Sequence, residues 1–225
     1  MSRDLITDIG AEAVRANLDR VRAEIAAAGR DPREVQILAA VKYVAVDQLE
    51  LLAQAGLTLL GENRAQDLVV KAGAHPGRFT WDFIGQLQSR KVREVIPHVR
   101  YIHSVASDSV LRQLERHASP AGVEVLVEVN VAGEPGKSGV SSGALGPFLG
   151  RCPVPVVGLT TMPPLASTPE DSRPYFAALR ALAERHGLRH LSMGTSQDYL
   201  VAVQEGATIV RLGTHLYAPQ DPGRS

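Results

Sequence analysis

Cysteine is almost absent from this chain. Cys152 is the one thiol in 225 residues, so no intramolecular disulfide framework can hold the fold, and that usage suits a reducing cytoplasm. An excess of either charge is missing too. Lys+Arg and Asp+Glu number 24 each, so no overall field draws the chain to nucleic acid or to an anionic membrane. No stretch approaches the roughly eighteen apolar residues of a membrane-spanning helix, and the opening Met1 to Asp8 has no apolar signal core. A cytoplasmic location is expected. Metal-site clusters of Cys and His are lacking as well. His186 and His190 are four apart but flank Gly187, where a helical pattern gives way to a strand, which makes a poor zinc pair. Internal repeats, low-complexity tracts and linkers are not found. The length suits one large domain or at most two small ones, and a single domain over residues 1–225 is expected.

What is present is a regular alternation of short apolar runs and amphipathic segments. Leu5 to Ala28 carries Ile9, Ala13, Leu18, Val21 and Ile25 at helical spacing and stops at Gly29, which predicts an extra amino-terminal helix. The apolar runs predict strands over 35–42, 58–61, 81–84, 100–104, 123–130, 155–160, 189–192 and 208–212. Helices are predicted over 46–55, 63–72, 87–96, 107–118, 143–150, 170–186 and 197–205. Strands each followed by a helix or the chain end fit a (β/α)8 TIM barrel, with a doubly wound open sheet as the alternative. Similar short strands and the lack of a long connection favour the barrel.

The run Val35 to Val41 reads as a strand buried on both faces, and Lys42 stands at its carboxyl end. That is where α/β folds place reactive groups. An amine that loses hydration there can attack a carbonyl, whereas a lysine that snorkels into solvent has no such role. Two later segments bear on the choice. Leu191-Ser-Met-Gly-Thr-Ser196 leaves the seventh predicted strand for a helix beginning near Gln197, and Val210-Arg-Leu-Gly-Thr214 leaves the eighth. Glycine lets backbone N–H groups approach an anion, hydroxyls add donors, and barrel phosphate sites sit after these two strands. The plain alternative makes Ser196 an N-cap and Gly194 and Gly213 turn residues. Period-two alternation sets Val210 and Leu212 on one face and aims Arg211 inward. Leu38, Ala40 and Lys42 share a face of the first strand, so Lys42 and Arg211 converge if that face is the lumen. A lysine, an inward arginine and a phosphate cradle suit pyridoxal 5′-phosphate (PLP), with the arginine toward the pyridine nitrogen.

The chain resembles the pyridoxal-phosphate homeostasis proteins, single-domain relatives of the alanine racemase barrel. The resemblance rests on Leu38-Ala-Ala-Val-Lys42, Gly61-Glu-Asn63, Phe83-Ile-Gly-Gln-Leu-Gln-Ser-Arg-Lys91, Val129-Asn130 with Lys137-Ser-Gly139, Gly158-Leu159 with Met162-Pro163, and the two carboxyl-end motifs. It implies a TIM barrel of the alanine racemase amino-terminal type and a Schiff base between PLP and Lys42. It also implies Asn63 near the ring hydroxyl and Arg211 at the pyridine nitrogen. The phosphate falls to Ser192, Met193, Gly194, Ser196, Gly213 and Thr214. Tyr43 and Thr160-Thr161 depart from the family pattern, and Thr160 bears on the pocket wall.

Gly136-Lys137-Ser138 looks like the end of a P-loop, but Val131 stands where the first glycine belongs and Pro135 removes an N–H, so a nucleotide triphosphatase is rejected. Lys137 belongs either to the barrel mouth or to a solvated loop. Gln88 to Arg93 is basic but short and without interleaved aromatics, a solvated helix face rather than a nucleic-acid site. Three functions remain. The first is a non-catalytic protein that stores, buffers or delivers PLP, with PLP-accepting apoenzymes as partners. The others are a PLP-dependent racemase or lyase and a barrel that binds a phosphometabolite without covalent chemistry. A two-base racemase needs a second base. No second domain is expected, Tyr43 is expected on the strand face opposite Lys42, and nothing in the sequence positions Tyr217. A monomeric carrier is therefore expected.

Overall fold

A computed structural model describes residues 5–118 and 122–217. Met1 to Asp4 of the stretch read for a signal core, and the chain end at Ser225, lie outside the described residues. The strands are β1 (Gln36–Ala40), β2 (Leu59–Glu62), β3 (Thr80–Phe83), β4 (Tyr101–Val105), β5 (Glu124–Asn130), β6 (Val140–Ser141), β7 (Val156–Thr160), β8 (His190–Thr195) and β9 (Ile209–Leu212). The α-helices are α1 (Ala11–Ala27), α2 (Leu49–Gln54), α3 (Ala65–Ala74), α4 (Val92–Val95), α5 (Asp108–His117), α6 (Leu145–Leu149), α7 (Arg173–Arg185), α8 (Tyr199–Gln204) and α9 (Thr214–Tyr217). All strands but β6 form one closed parallel ring in the order β1-β2-β3-β4-β5-β7-β8-β9, with β9 paired back to β1. This is the predicted eight-stranded barrel. No helix among the described residues is long and apolar enough to cross a membrane.

Alternation along each strand divides the apolar residues between two cores. Ala39, Val41, Val210 and Leu212 join the large cluster between sheet and helices, whereas Leu38, Tyr101, Leu126 and Ile209 fill the lumen. Leu38 lies opposite Arg211 in the β1–β9 register, so these positions are lateral neighbours. Gly61 makes room for the lumenal layer, since a Cβ there would come within 2.2 Å of Leu38 Cδ2.

Two local differences from the sequence expectation shape the mouth. The first helix starts at Ala11 rather than Leu5, because Ile6 pairs as a strand with the segment after Lys42: its N–H donates to Tyr43 O at 2.7 Å and its carbonyl accepts from Ala45 N at 3.2 Å. Val14, Leu18, Val21 and Ile25 of α1 are buried, worth about 1.5–3 kcal/mol each for a fully buried side chain. β6 was not expected. Its two residues pair with Val129 and Asn130 outside the ring and are too few to show a period.

Candidate functional site

The carboxyl ends of the strands enclose a cavity of about 600 Å³. Six predicted site residues line it: Lys42, Asn63, Ser196, Arg211, Gly213 and Thr214. The Lys42 side chain is exposed, so the loss of hydration expected at a buried strand end is not found. The reason is local. β1 stops at Ala40 and the backbone turns through Lys42 and Tyr43. The same turn overturns the expected placing of Tyr43. Alternation no longer holds beyond the strand, Tyr43 lines the cavity beside Lys42, and its ring centroid lies 4.7 Å from the ammonium.

Arg211 points into the lumen as its alternation demands, and it is buried. Nη1 donates to Thr160 Oγ1 at 2.5 Å, Ser192 O at 3.1 Å and Ser192 Oγ at 3.2 Å, and Nη2 donates to Thr161 O at 3.0 Å. Thr160 is thus part of the wall that seats the guanidinium. Burial pushes the Arg211 pKa down to about 10, against weaker upward pulls from Glu128 and Asp198. The group remains a cation at neutral pH.

Beneath Arg211 runs a polar chain that sequence reasoning missed. Ser192 Oγ lies 2.9 Å from His103 Nδ1, His103 Nε2 lies 3.1 Å from Asp82 Oδ2, and Asp82 accepts from Arg100 Nε at 3.1 Å and Nη2 at 2.7 Å. The Asp82 carboxylate can only accept, so the His103 proton sits on Nε2 and the neutral ring accepts at Nδ1, which sets the sense of the chain. Ser192 accepts from Arg211 and gives its proton to His103 Nδ1, and His103 Nε2–H donates to Asp82. Asp82 and His103 sit at inward strand positions, but nothing in the primary sequence pairs residues 21 apart, and either is unremarkable alone. The one available signal is polar residues at lumenal positions of otherwise apolar strands.

Burial pushes His103 below its ordinary 6.5, against the pull of Asp82, so the imidazole is neutral. An unfolded chain takes up that proton below about pH 6.5, whereas the folded chain resists it. Stability is therefore present above 6.5 and declines below it, by up to ~1.4 kcal/mol per pH unit for one group. Urea unfolding from pH 7.5 to 5 is expected to show a shallower decline in His103→Gln than in the unsubstituted chain. Burial also lowers His190 and His215, so part of the slope persists. Identical slopes would remove His103 from the account.

The predicted phosphate residues fall into two groups. Ser196, Gly213 and Thr214 line the cavity, and Gly194 lines an adjoining pocket of about 380 Å³ that shares Thr195, Gln197 and Arg211 with it. Ser192 is fully buried in the polar chain, and the Met193 side chain belongs to the outer core. Helix α8 begins at Tyr199 with Asp198 as the preceding residue, so Ser196 is not an N-cap. Asp198 instead pins the turn, accepting from Thr195 N at 2.7 Å and from Ser172 Oγ at 2.9 Å. Gly194 has φ of 90°, and a Cβ there would lie 2.6 Å from Ala202 Cβ and 2.9 Å from Tyr199 Cα. Asn63 contributes a buried Oδ1 with no hydrogen-bond partner among the described residues. Tyr217, which the sequence left unpositioned, is buried with its hydroxyl 3.3 Å from Ala40 O. Lys137 does not reach the cavity. It is exposed and paired with Glu134 in the loop after β5.

No family model matches the chain. Similarity to curated proteins is nonetheless extensive. The pyridoxal phosphate homeostasis protein of Aquifex aeolicus is 38% identical over 213 residues, covering 89% of this chain and 93% of that protein. PipY of Synechococcus elongatus, solved with and without PLP, superposes with a TM-score of 0.79 at 30% identity, covering 91% of this chain and 100% of PipY. The alanine racemase of Corynebacterium glutamicum shares the fold, with a TM-score of 0.71 at 19% identity over 99% of this chain and 66% of the racemase. With a barrel of the alanine racemase type and near-complete coverage of its curated relatives, the chain belongs to the pyridoxal phosphate homeostasis protein family.

Proposed function

We propose that this chain is a single-domain, monomeric, cytoplasmic carrier that binds PLP, holds it on Lys42 as a Schiff base, and stores, buffers or delivers it to apoenzymes with little or no catalysis. PLP supplies an aldehyde that a primary amine captures as a C=N bond with loss of one water. The observation that carries the reading is the meeting of the exposed Lys42 amine and the buried Arg211 guanidinium in one cavity. Arg211 is held by neutral acceptors, with no carboxylate in ion-pair distance among the described residues. A buried cation so held favours an anionic ligand. The residues fit the group in two further respects. The unpartnered Asn63 Oδ1 would accept a hydrogen bond from a ring hydroxyl. The positive φ of Gly194 permits the tight turn that brings Thr195 and Ser196 to the cavity.

Two-base racemisation is disfavoured by the tyrosines. Burial raises the Tyr217 pKa well above its ordinary value, and its hydroxyl is engaged with Ala40 O, which makes a poor base. Tyr43 stands beside Lys42, whereas two bases must act from opposite faces of the substrate. Mixing the protein with PLP, reducing with borohydride and mapping peptides is expected to place the added mass on Lys42. Pyridoxal, which has the aldehyde but no phosphate, is expected to bind roughly 100-fold more weakly, the worth of two charge-assisted hydrogen bonds at ~1.5 kcal/mol each. Equal affinity for the two compounds would defeat the phosphate cradle. Rapid loss of optical activity from L-alanine or another amino acid would defeat the carrier reading.

A further inference from the structure

A buried ion pair lies behind the barrel wall, away from the cavity. Lys71 of α3 donates through Nζ to Glu62 Oε1 at 2.5 Å and to Val41 O at 2.6 Å, and Glu62 Oε2 accepts from Asn63 N at 2.8 Å. Both side chains are buried, and neither lines the cavity. The two backbone groups they hold are singular in position. Val41 O belongs to the peptide that leads into Lys42, one residue past the end of β1, and Asn63 N belongs to the peptide that leaves β2. One further bond, Val41 N to Gly61 O at 3.0 Å, ties the same two strand ends together.

A buried ion pair is a poor way to stabilise a wall, because desolvation offsets the attraction and apolar side chains of similar volume serve as well or better. Apolar side chains, however, leave Val41 O and Asn63 N without these partners. We infer that Glu62 and Lys71 are positioning residues, which fix the backbone from which Lys42 and Asn63 enter the cavity. The inference rests on the reading of Lys42 as the amine that captures the aldehyde. Lys71 is no competitor for that role, since its amine is engaged twice and does not reach the cavity.

The test uses the full chain and two ligands: PLP, and pyridoxine 5′-phosphate, which carries an alcohol in place of the aldehyde. In the double variant Glu62→Met/Lys71→Met no orphaned charge remains, and the melting temperature is expected to fall by no more than the loss of the two backbone partners brings. The ratio of affinities, PLP over pyridoxine 5′-phosphate, is expected to fall about tenfold, because a misplaced amine loses effective concentration at the aldehyde. Lys71→Arg, which keeps a cation and its donors, is expected to recover most of the ratio and covers the case in which the double variant does not fold. An unchanged ratio in a folded double variant, or a Lys71→Arg protein no better than Lys71→Met, overturns the positioning role. A protein without substitution that shows no C=N absorbance with PLP overturns the Lys42 reading first, and this inference with it.

Discussion

Lys42→Ala is expected to abolish the absorbance band of PLP held as a Schiff base and to weaken PLP at least ~100-fold, about 2.7 kcal/mol. Binding of pyridoxine 5′-phosphate is expected to change little. The separation follows from how little Lys42 does for the fold. Its side chain is exposed, and its ammonium lies over the face of Tyr43 at 4.7 Å, worth about 0.5–1 kcal/mol for an exposed cation–π pair. Removing it leaves Arg211 seated on Thr160 and Ser192, and Asp198 still pins the turn that carries Ser196. The phosphate and ring therefore keep their seats, and only the covalent component goes. Lys137→Ala is the control, since Lys137 is solvated, paired with Glu134 and outside the cavity. Loss of the band in Lys137→Ala with its retention in Lys42→Ala would transfer the amine's role and sink the assignment.

The parts of this arrangement legible in the sequence are those set by period. Alternation through Ile209–Leu212 put Arg211 inward, because a strand's period fixes the face, and in β1 the same rule holds only as far as Ala40. The rule lapses where β1 ends, three residues before Tyr43. Tyr43 lies in the turn itself, so its face is set by the turn rather than by the pleat. Helix α1 was read from Leu5, six residues before its start at Ala11, because Ile9 fits the helical spacing of Ala13 and the residues that follow, while pairing of Ile6 with Tyr43 and Ala45 decides the conformation there. Side-chain partnerships across the barrel were illegible. Asp82, His103 and Ser192 come from β3, β4 and β8, and Glu62 meets Lys71 only once α3 folds back over β2. The barrel expected from the sequence makes these strands part of one ring, but a single sequence does not say which side chains meet across it.

Asp82 shows what that illegible network is worth, for Asp82→Ala is expected to cost about 3–5 kcal/mol of stability, the usual loss on removing one partner of a buried charge pair. That is a large share of the ~5–15 kcal/mol that holds a typical domain together. The carboxylate is fully buried and accepts from Arg100 twice, from His103 Nε2 at 3.1 Å and from Tyr101 N at 3.3 Å. Alanine leaves those donors facing a void, with the Arg100 guanidinium only partly able to turn to solvent. Asp82→Asn keeps one acceptor oxygen and is expected to cost less. The native pH profile carries the same signature. Burial alone would raise the Asp82 carboxyl, but the hydrogen bonds from His103 and Arg100 outweigh it and hold the pKa below the usual 3.8. Its contribution is thus complete above pH 3.8 and lost as the pH falls through the lower folded value, a component that Asp82→Ala lacks. The damage reaches the cavity as well, because His103 loses its orienting acceptor and Ser192, its other partner, helps seat Arg211. Asp82→Ala is therefore expected to weaken PLP and pyridoxine 5′-phosphate alike, whereas Lys42→Ala separates them. Urea titrations and the two affinities measured on both variants check this. An Asp82→Ala protein within about 1 kcal/mol of the unsubstituted stability would mean that Arg100 and His103 find other partners.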